Sequence, residues 1–173
     1  MRRNWIVLFV IIAAVLLVDQ FTKRLVVDNL EVYETVELIP PLAPFFQITR
    51  TENIGAAFGF LPQAGDLFLV IAVVVVLAMV YFYPRVHTWM TRVAIGFICG
   101  GALGNALDRI QHGLVVDFIH YRIPGVISNV SNLADHAIVL GVLIVLVDSW
   151  RPAPQNSPIG DAESVPPDEN ANN

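Results

Sequence analysis

Long apolar runs alternate with short polar segments along this chain of 173 residues. A helix needs about 20 mainly apolar residues to cross the hydrocarbon core of a bilayer. Four stretches are long enough, or nearly so, to be predicted as spans: 5–27, 67–83, 93–107 and 133–150. The pattern therefore predicts an all-α integral membrane protein in which four transmembrane helices form a bundle.

The segment 28–66, between the first two predicted spans, has a different pattern. Apolar and polar residues alternate with period two in the runs 33–38 and 46–50, and three prolines lie between these runs. Such alternation is typical of strands with one buried face. We expect a small extracytoplasmic β-cradle on the outer membrane surface, between helices 1 and 2.

The composition supports the membrane class and excludes an ordinary soluble domain. Of all residues 55% are hydrophobic and 14% are charged, and the mean hydropathy is +0.64. Soluble domains carry about 25% charged residues. The first run follows Arg2 and Arg3, but it passes through Asp19 and Gln20 without a small-residue cleavage pattern, so we interpret it as a retained span and not a signal peptide.

Four spans put both termini on the same side of the membrane. Lysine and arginine are equally frequent on the two faces, so the positive-inside rule alone does not give the orientation. Because Lys23 and Arg109 fall within polar motifs of a candidate site, we place the termini in the cytoplasm and the site outside. Residues 1–151 are predicted to form one membrane domain, and the polar, proline-rich segment 152–173 a disordered cytoplasmic tail.

Two aspartates, Asp117 and Asp135, lie where the third and fourth predicted spans meet water. Ionisable groups at such positions are functional candidates. Antiparallel helices return the chain to the same depth after the short polar loop between them, so the two carboxyl groups can meet. A close carboxylate pair shares a proton and can supply the acid and base that add water to an amide. Two ordinary interfacial aspartates, one of them capping a helix, remain the alternative.

Other polar residues of the spans are spaced so that each pair shares a helix face. They are Asp19 with Lys23, Asn105 with both Asp108 and Arg109, and Asn132 with Asp135. For each pair a purely structural role, such as self-neutralisation near the interface, is an equal alternative. Their concentration at one end of the predicted bundle favours a common site.

The sequence offers little for metal or thiol chemistry. Cys99 is the only cysteine, which excludes an intramolecular disulfide, and it is interpreted as a packing residue. Three histidines, His112, His120 and His136, could meet near the two aspartates and hold a metal. The histidines do not form HExxH or any other standard ligand motif, and we predict no metal and no cofactor.

Five ordered motifs resemble those of the lipoprotein signal peptidases, the type II signal peptidases of bacteria. The motifs are Asp19–Lys23, Asn53–Phe58, Gly101–Arg109, Val115–Phe118 and Asn132–Asp135. The resemblance covers about residues 4–150 and implies a four-helix fold with an external β-cradle. It also implies an intramembrane aspartyl endopeptidase that cleaves diacylglyceryl-modified prolipoproteins before the lipidated cysteine.

The same resemblance implies roles for individual residues. Asp117 and Asp135 match the catalytic dyad of the family. Residues expected to support the dyad or hold the substrate are Asp19, Lys23, Asn53, Asn105, Arg109 and Asn132. The last motif departs from the usual Phe-Asn-x-Ala-Asp followed by a small residue, because this chain has Ser131 before the asparagine and His136 after the aspartate.

The implied protein is a multi-pass monomer of the bacterial cytoplasmic membrane. Its expected partners are prolipoprotein substrates and membrane lipids, and no nucleic acid. Three rival classes stay open: a serine–lysine peptidase using Lys23, a small transporter whose buried polar groups form a pathway, and a catalytically silent scaffold.

Overall fold

The computed structural model describes residues 2–55, 65–123 and 125–151, so the predicted tail 152–173 lies outside the described residues. Within these residues the chain forms four α-helices. They are α1 (Arg2–Asn29), α2 (Gly65–Phe82), α3 (Trp89–His112) and α4 (Leu133–Ser149). Each overlaps one predicted span, and α3 extends five residues beyond the predicted end at 107.

Three of the described helical segments are long and apolar enough to cross a membrane: Asn4–Asn29, Gly65–Arg85 and Trp89–His112. The fourth helix, α4, has 17 residues, at the short end of the range for a span. Three of the four predicted membrane helices are thus supported, and the fourth crossing stays a prediction.

Helix α3 is the centre of the helical part and packs against the other three helices. Glycines on α3 allow this close packing. A Cβ atom built on Gly100 would lie 2.7 Å from Cβ of Val15 on α1, and one built on Gly96 would lie 2.8 Å from a methyl carbon of Ile11. Small residues let helix backbones approach closely in membranes, and here they bring the polar residues of α1 and α3 into contact.

The polar end of the protein is a four-stranded antiparallel sheet in the order β1-β2-β3-β4. The strands are β1 (Thr35–Val36), β2 (Phe46–Asn53), β3 (Val115–Ile123) and β4 (Ile127–Ser131). Strands β1 and β2 come from the segment predicted to form a cradle. Strands β3 and β4 come from the connection between α3 and α4.

The interpretation of the connection between Asp117 and Asp135 as a short polar loop is wrong. Asp117 lies within β3, whose first five residues are buried. These residues are apolar apart from Asp117 and pair with β2, so that Asn53 lies opposite Val115 and Thr51 lies opposite Asp117. The partner strand β2 is more than 60 positions away in sequence, which is why local periodicity did not predict strand β3.

Gly113 determines how the chain passes from α3 into β3. It follows the last residue of the helix with φ of 72°, the left-handed conformation that glycine adopts without steric cost, and its N–H donates to Arg109 O. The helix therefore ends two residues before β3 begins. This short connection holds Asp117 next to the end of α3.

Candidate active site

Asp117 is nearly fully buried, with 4% of its surface exposed. Its Oδ2 accepts a hydrogen bond from Asn53 Nδ2 at 2.9 Å, and its Oδ1 accepts one from Asn132 Nδ2 at 2.6 Å. Burial raises the pKa of Asp117 to about 6; the bonds from the two asparagines oppose this rise, and the nearby charge of Asp135 adds to it. The carboxyl group can therefore exchange a proton near neutral pH.

Asp135 lies in the first turn of α4 and is half-buried. Its backbone N–H donates to Oδ1 of Asn132, the N-cap residue of the helix, at 3.0 Å. Its carboxylate Oδ1 accepts a hydrogen bond from Asn105 Nδ2 at 2.7 Å. The predicted spacing of Asn132 and Asp135 thus corresponds to an N-cap, which holds Asp135 in the first turn of α4.

Two asparagine amides join the aspartates. Asn132, with no exposed surface, donates from Nδ2 to Asp117 and also lies 3.1 Å from Oδ1 of Asn105. Asn105 in turn donates to Asp135. The structure therefore connects the two predicted dyad residues through amides of α3 and the α4 cap, and it brings Asn53, Asn105 and Asn132 together as the motifs predicted.

Behind these amides is a buried ionic cluster centred on Lys23. Lys23 Nζ lies 2.8 Å from Asp19 Oδ2, 2.9 Å from Asp108 Oδ2 and 3.0 Å from Asn105 Oδ1. Asp19 Oδ1 accepts a hydrogen bond from the backbone N–H of Ala134 at 2.9 Å. The predicted i, i+4 pair is present, and it reaches the dyad through Asn105 and the backbone of α4.

Two members of this cluster were not identified as site residues from the sequence. Asp108 binds Lys23, and its Oδ2 also accepts a hydrogen bond from the N–H of Val116 at 3.2 Å. Gln20 Nε2 donates to Asp108 Oδ1 at 2.7 Å. The available signal was the lone lysine of the chain on a span that also carries an aspartate, which calls for a second compensating acid when the lysine is buried.

Arg109 lies beside the dyad without binding either carboxylate within the part of the chain described. Its Nη2 donates to Gly55 O and its Nη1 to Asn105 O, each at 3.3 Å. The guanidinium carbon lies 5.7 Å from the ring centroid of Phe68. Arg109 therefore holds the chain just after β2 against α3.

A cavity of about 100 Å³ opens between the sheet and the ends of α3 and α4, and both aspartates line it. The other lining residues are Asn53, Gly55, Asn105, Arg109, Val115, Asn129, Val130 and Ser131. This volume is ample for a water molecule with several polar partners. The arrangement can hold an attacking water between two carboxyl groups.

Two of the three histidines of the metal alternative, His120 and His136, have other contacts. His120 Nδ1 lies 2.9 Å from Thr49 Oγ1, and His136 Nε2 lies 2.7 Å from Tyr121 OH. In the described ranges no three His, Cys, Asp or Glu residues are grouped so that they could hold a metal ion. Cys99 is buried in the apolar cluster formed with Leu8, Tyr83 and Ile95.

The fold and the cavity define a class: a membrane protein with a buried carboxylate pair at the sheet end of a helix bundle. The family model described as signal peptidase (SPase) II matches residues 11–151. The chain therefore belongs to the signal peptidase II family and is a peptidase. The resemblance inferred from the five motifs is confirmed.

Named relatives agree with this assignment. A "Lipoprotein signal peptidase" of Halothermothrix orenii is 38% identical over 83% of this chain and 94% of its own length. One of Pelotomaculum thermopropionicum is 42% identical over 80% of this chain and 88% of its own length. A bacterial membrane enzyme solved by the in meso method at 2.3 Å resolution superposes with a TM-score of 0.78 at 30% identity, covering 90% of this chain and 94% of that chain.

Proposed function

We propose that this protein is an intramembrane aspartyl endopeptidase that removes signal peptides from diacylglyceryl-modified prolipoproteins, cleaving before the lipidated cysteine. One observation carries the proposal. Asp117 and Asp135 line the same cavity and are joined through asparagine amides, and no side-chain nitrogen of lysine, arginine or histidine lies within 4 Å of their carboxylate oxygens among the described residues.

The chemistry follows from a shared proton. With one carboxyl group protonated and the other ionised, the ionised group removes a proton from the attacking water and the protonated group donates to the carbonyl oxygen of the scissile amide. The tetrahedral intermediate then breaks its C–N bond. The proton taken from water is delivered to the leaving amine, and a hydroxyl proton of the intermediate goes back to the carboxyl group that had protonated the carbonyl oxygen. The pair thus returns to its starting state without a cofactor.

The other site residues act as positioning residues in this proposal. Asn53 and Asn132 orient the carboxyl group of Asp117, and Asn105 orients that of Asp135. Asp19 and Lys23 hold α1 against α3 and the start of α4. Such support matters because small displacements of catalytic groups lower rates strongly.

We further propose four membrane crossings, with cytoplasmic termini and the site at the extracytoplasmic face of the bacterial cytoplasmic membrane. Residues 1–151 would act as one domain and 152–173 as a disordered tail. A monomer that contacts membrane lipids and prolipoproteins, and binds no nucleic acid, would be sufficient. The support is that the outer surfaces of α1, α2 and α4 carry exposed large apolar side chains, as lipid-facing helices do.

A gel-shift assay on a lipidated precursor tests the function. Purified wild type should convert the lipidated precursor to its shorter product and leave the unlipidated precursor intact. Asp117→Asn should leave both intact while yielding the same amount of folded protein. If the wild type processed the unlipidated precursor as fast as the lipidated one, the substrate assignment would be contradicted.

Two alternatives, the serine–lysine peptidase and the metal-dependent enzyme, are less well supported by the contacts in the structure. Lys23 Nζ is enclosed by Asp19, Asp108 and Asn105, and no serine is among its partners in the described residues, as a serine–lysine pair would require. For the metal alternative, chelators should not inhibit, and His112→Ala, His120→Ala and His136→Ala should each retain substantial activity. Chelator-sensitive cleavage that zinc restores would overturn the aspartyl mechanism.

A further inference from the structure

The strand β4 has an open edge beside the candidate active site. It is the last strand of the sheet and pairs with β3 on one side. Within the described ranges, none of its backbone groups bonds to a backbone group of any segment other than β3. An open strand edge is a template for an added strand, and extended peptides use such edges for recognition.

The direction of the backbone groups along β3 can be assigned from one contact. Arg122 N donates to Phe45 O, on the β2 side of the sheet, at 2.8 Å. Backbone groups alternate between the two sides along an antiparallel strand. In the part of β3 that pairs with β4, Ile119–Ile123, the even-numbered residues therefore point towards β2 and the odd-numbered residues point towards β4.

The register then assigns the edge groups of β4. Tyr121 lies opposite Asn129 and Ile119 lies opposite Ser131, so the odd-numbered residues of β4 bond to β3. The even-numbered residues point the other way. Val130 therefore directs both its N–H and its C=O to the open edge.

The candidate active-site cavity runs along this edge. Three consecutive residues, Asn129, Val130 and Ser131, line it together with Asp117 and Asp135. Successive side chains of a strand point to opposite faces, so a cavity on one face would be lined by alternate residues. A cavity lined by three in a row meets the strand along its backbone.

Ser131 gives a second, independent indication of a polar guest. Its Oγ is buried and has no hydrogen-bond partner within the described part of the chain. Buried hydroxyl groups are nearly always paired in native structures. Because Ser131 lines the cavity, we expect a polar group of a molecule bound in the cavity to be the hydrogen-bond partner of its hydroxyl.

We propose that the substrate segment around the scissile bond binds in an extended conformation along β4, as a fifth strand. The Val130 N–H and C=O pair with one substrate residue, and the Ser131 hydroxyl bonds to the substrate backbone next to it. The pairing holds a substrate carbonyl beside Asp117 and Asp135. This inference rests on the proposed function, because it names how the substrate of that same site is held.

The first experiment changes the substrate. A series of lipidated peptides, each with one backbone N–H replaced by N–CH₃ around the cleavage site, is cleaved by the full-length wild type in detergent. Strand pairing predicts a loss of kcat/KM, about tenfold for each lost hydrogen bond, at the substrate residues whose N–H groups pair with β4, with little loss farther along the peptide. A flat profile, or an equal loss at every position, would overturn the pairing.

The second experiment changes the enzyme. Val130→Pro removes the N–H that faces the open edge and is not used in the ladder with β3, a position where edge strands accept proline. Val130→Ala shortens the same side chain and keeps the N–H. We expect kcat/KM of Val130→Pro to lie about tenfold below that of Val130→Ala, and equal values would overturn the proposal.

The substrate series remains decisive if Val130→Pro fails to fold, since it uses the wild-type protein. Failure of the underlying function is distinguishable from failure of the pairing. If the wild type leaves the unmethylated lipidated peptide uncut, the proposed function is contradicted, and the strand pairing is contradicted with it. If it cuts that peptide and the methyl series is flat, only the pairing falls.

Discussion

Two pairs of carboxylates lie on either side of Asn105, and they differ in how their charge is compensated. Asp19 and Asp108 share the ammonium of Lys23 at 2.8 and 2.9 Å. Asp117 and Asp135 are held by asparagine amides. The ammonium of Lys23 compensates the first two carboxylates, whereas no Lys, Arg or His side-chain nitrogen lies within 4 Å of the carboxylate oxygens of Asp117 and Asp135 among the described residues.

The two groups differ in access as well. The Lys23 cluster is closely packed. Asp19 is fully buried, and a Cβ atom built on Gly104 would lie 2.6 Å from its Oδ2, so there is no room beside this carboxylate for a larger side chain at position 104. Asp117 and Asp135 line a cavity. The same side chain therefore serves as a structural ion where it is paired and enclosed, and it is suited to chemistry where it is unpaired and faces a cavity.

The largest expected effect separates the groups by activity. Asp117→Asn and Asp135→Asn keep the side-chain size but remove the titratable proton, so each should lower cleavage of a lipidated precursor by at least about 10³-fold, within the range that general acid–base catalysis contributes. Asp19→Asn should impair turnover without eliminating it. Equal losses in all three variants would show that the comparison between the groups has no functional meaning.

The next effect separates them by stability. Lys23→Met leaves Asp19 and Asp108 buried without their cation, and breaking a buried ion pair typically costs about 3–5 kcal/mol. We expect a large loss of folded protein in detergent, measured by thermal unfolding and by yield. Asp117→Asn is the control, and it should unfold at or above the wild-type temperature. A well-folded Lys23→Met protein would contradict the structural role.

Changes at the residues between the groups should be intermediate. Asn105→Ala removes a hydrogen bond to the charged Asp135, and bonds to charged groups contribute about 1.5–3 kcal/mol, or roughly 10- to 150-fold in rate. Arg109→Ala removes a support one step further from the carboxylates and should lower kcat less than Asn105→Ala. Normal turnover in both variants, with normal folding, would show that this face of α3 is only structural.

The smallest effect is a pH dependence of stability at Asp117. Burial raises its pKa to about 6 from an ordinary value of 3.8, so between these values the folded state binds more protons than the unfolded state. Its ionisation therefore destabilises the fold as pH rises through this window. The unfolding temperature of Asp117→Asn should lie above that of the wild type at pH values above 6, and the difference should shrink towards pH 4. A pH-independent difference would contradict the shifted pKa.

Local spacing predicted the parts of the site that lie on single helices. Asp19 and Lys23 form the expected i, i+4 pair, and Asn132 caps the helix that begins before Asp135. The helix positions of the four apolar runs also follow directly from composition, because each run is continuous in sequence. These features depend on neighbours within one turn of helix.

The sequence did not predict what depends on distant pairing. Strand β3 exists because it pairs with β2, and Asp117 is oriented by Asn53, 64 positions away. Asp108 points to Lys23 on another helix, 85 positions away. Neither contact has a local periodicity. The family motifs identified the residues involved, and only the folded chain divides them into an enclosed ionic cluster and a cavity-lining pair.

The most direct test of the central claim is the double variant Asp117→Asn/Asp135→Asn, measured beside both single variants under single-turnover conditions with a lipidated precursor. Residues that act as one catalytic unit are strongly non-additive. If the two carboxyl groups share one proton and one task, the double variant should be no slower than either single variant. A double-variant loss equal to the product of the two single losses would contradict the account, as would a rate near wild type in either single variant.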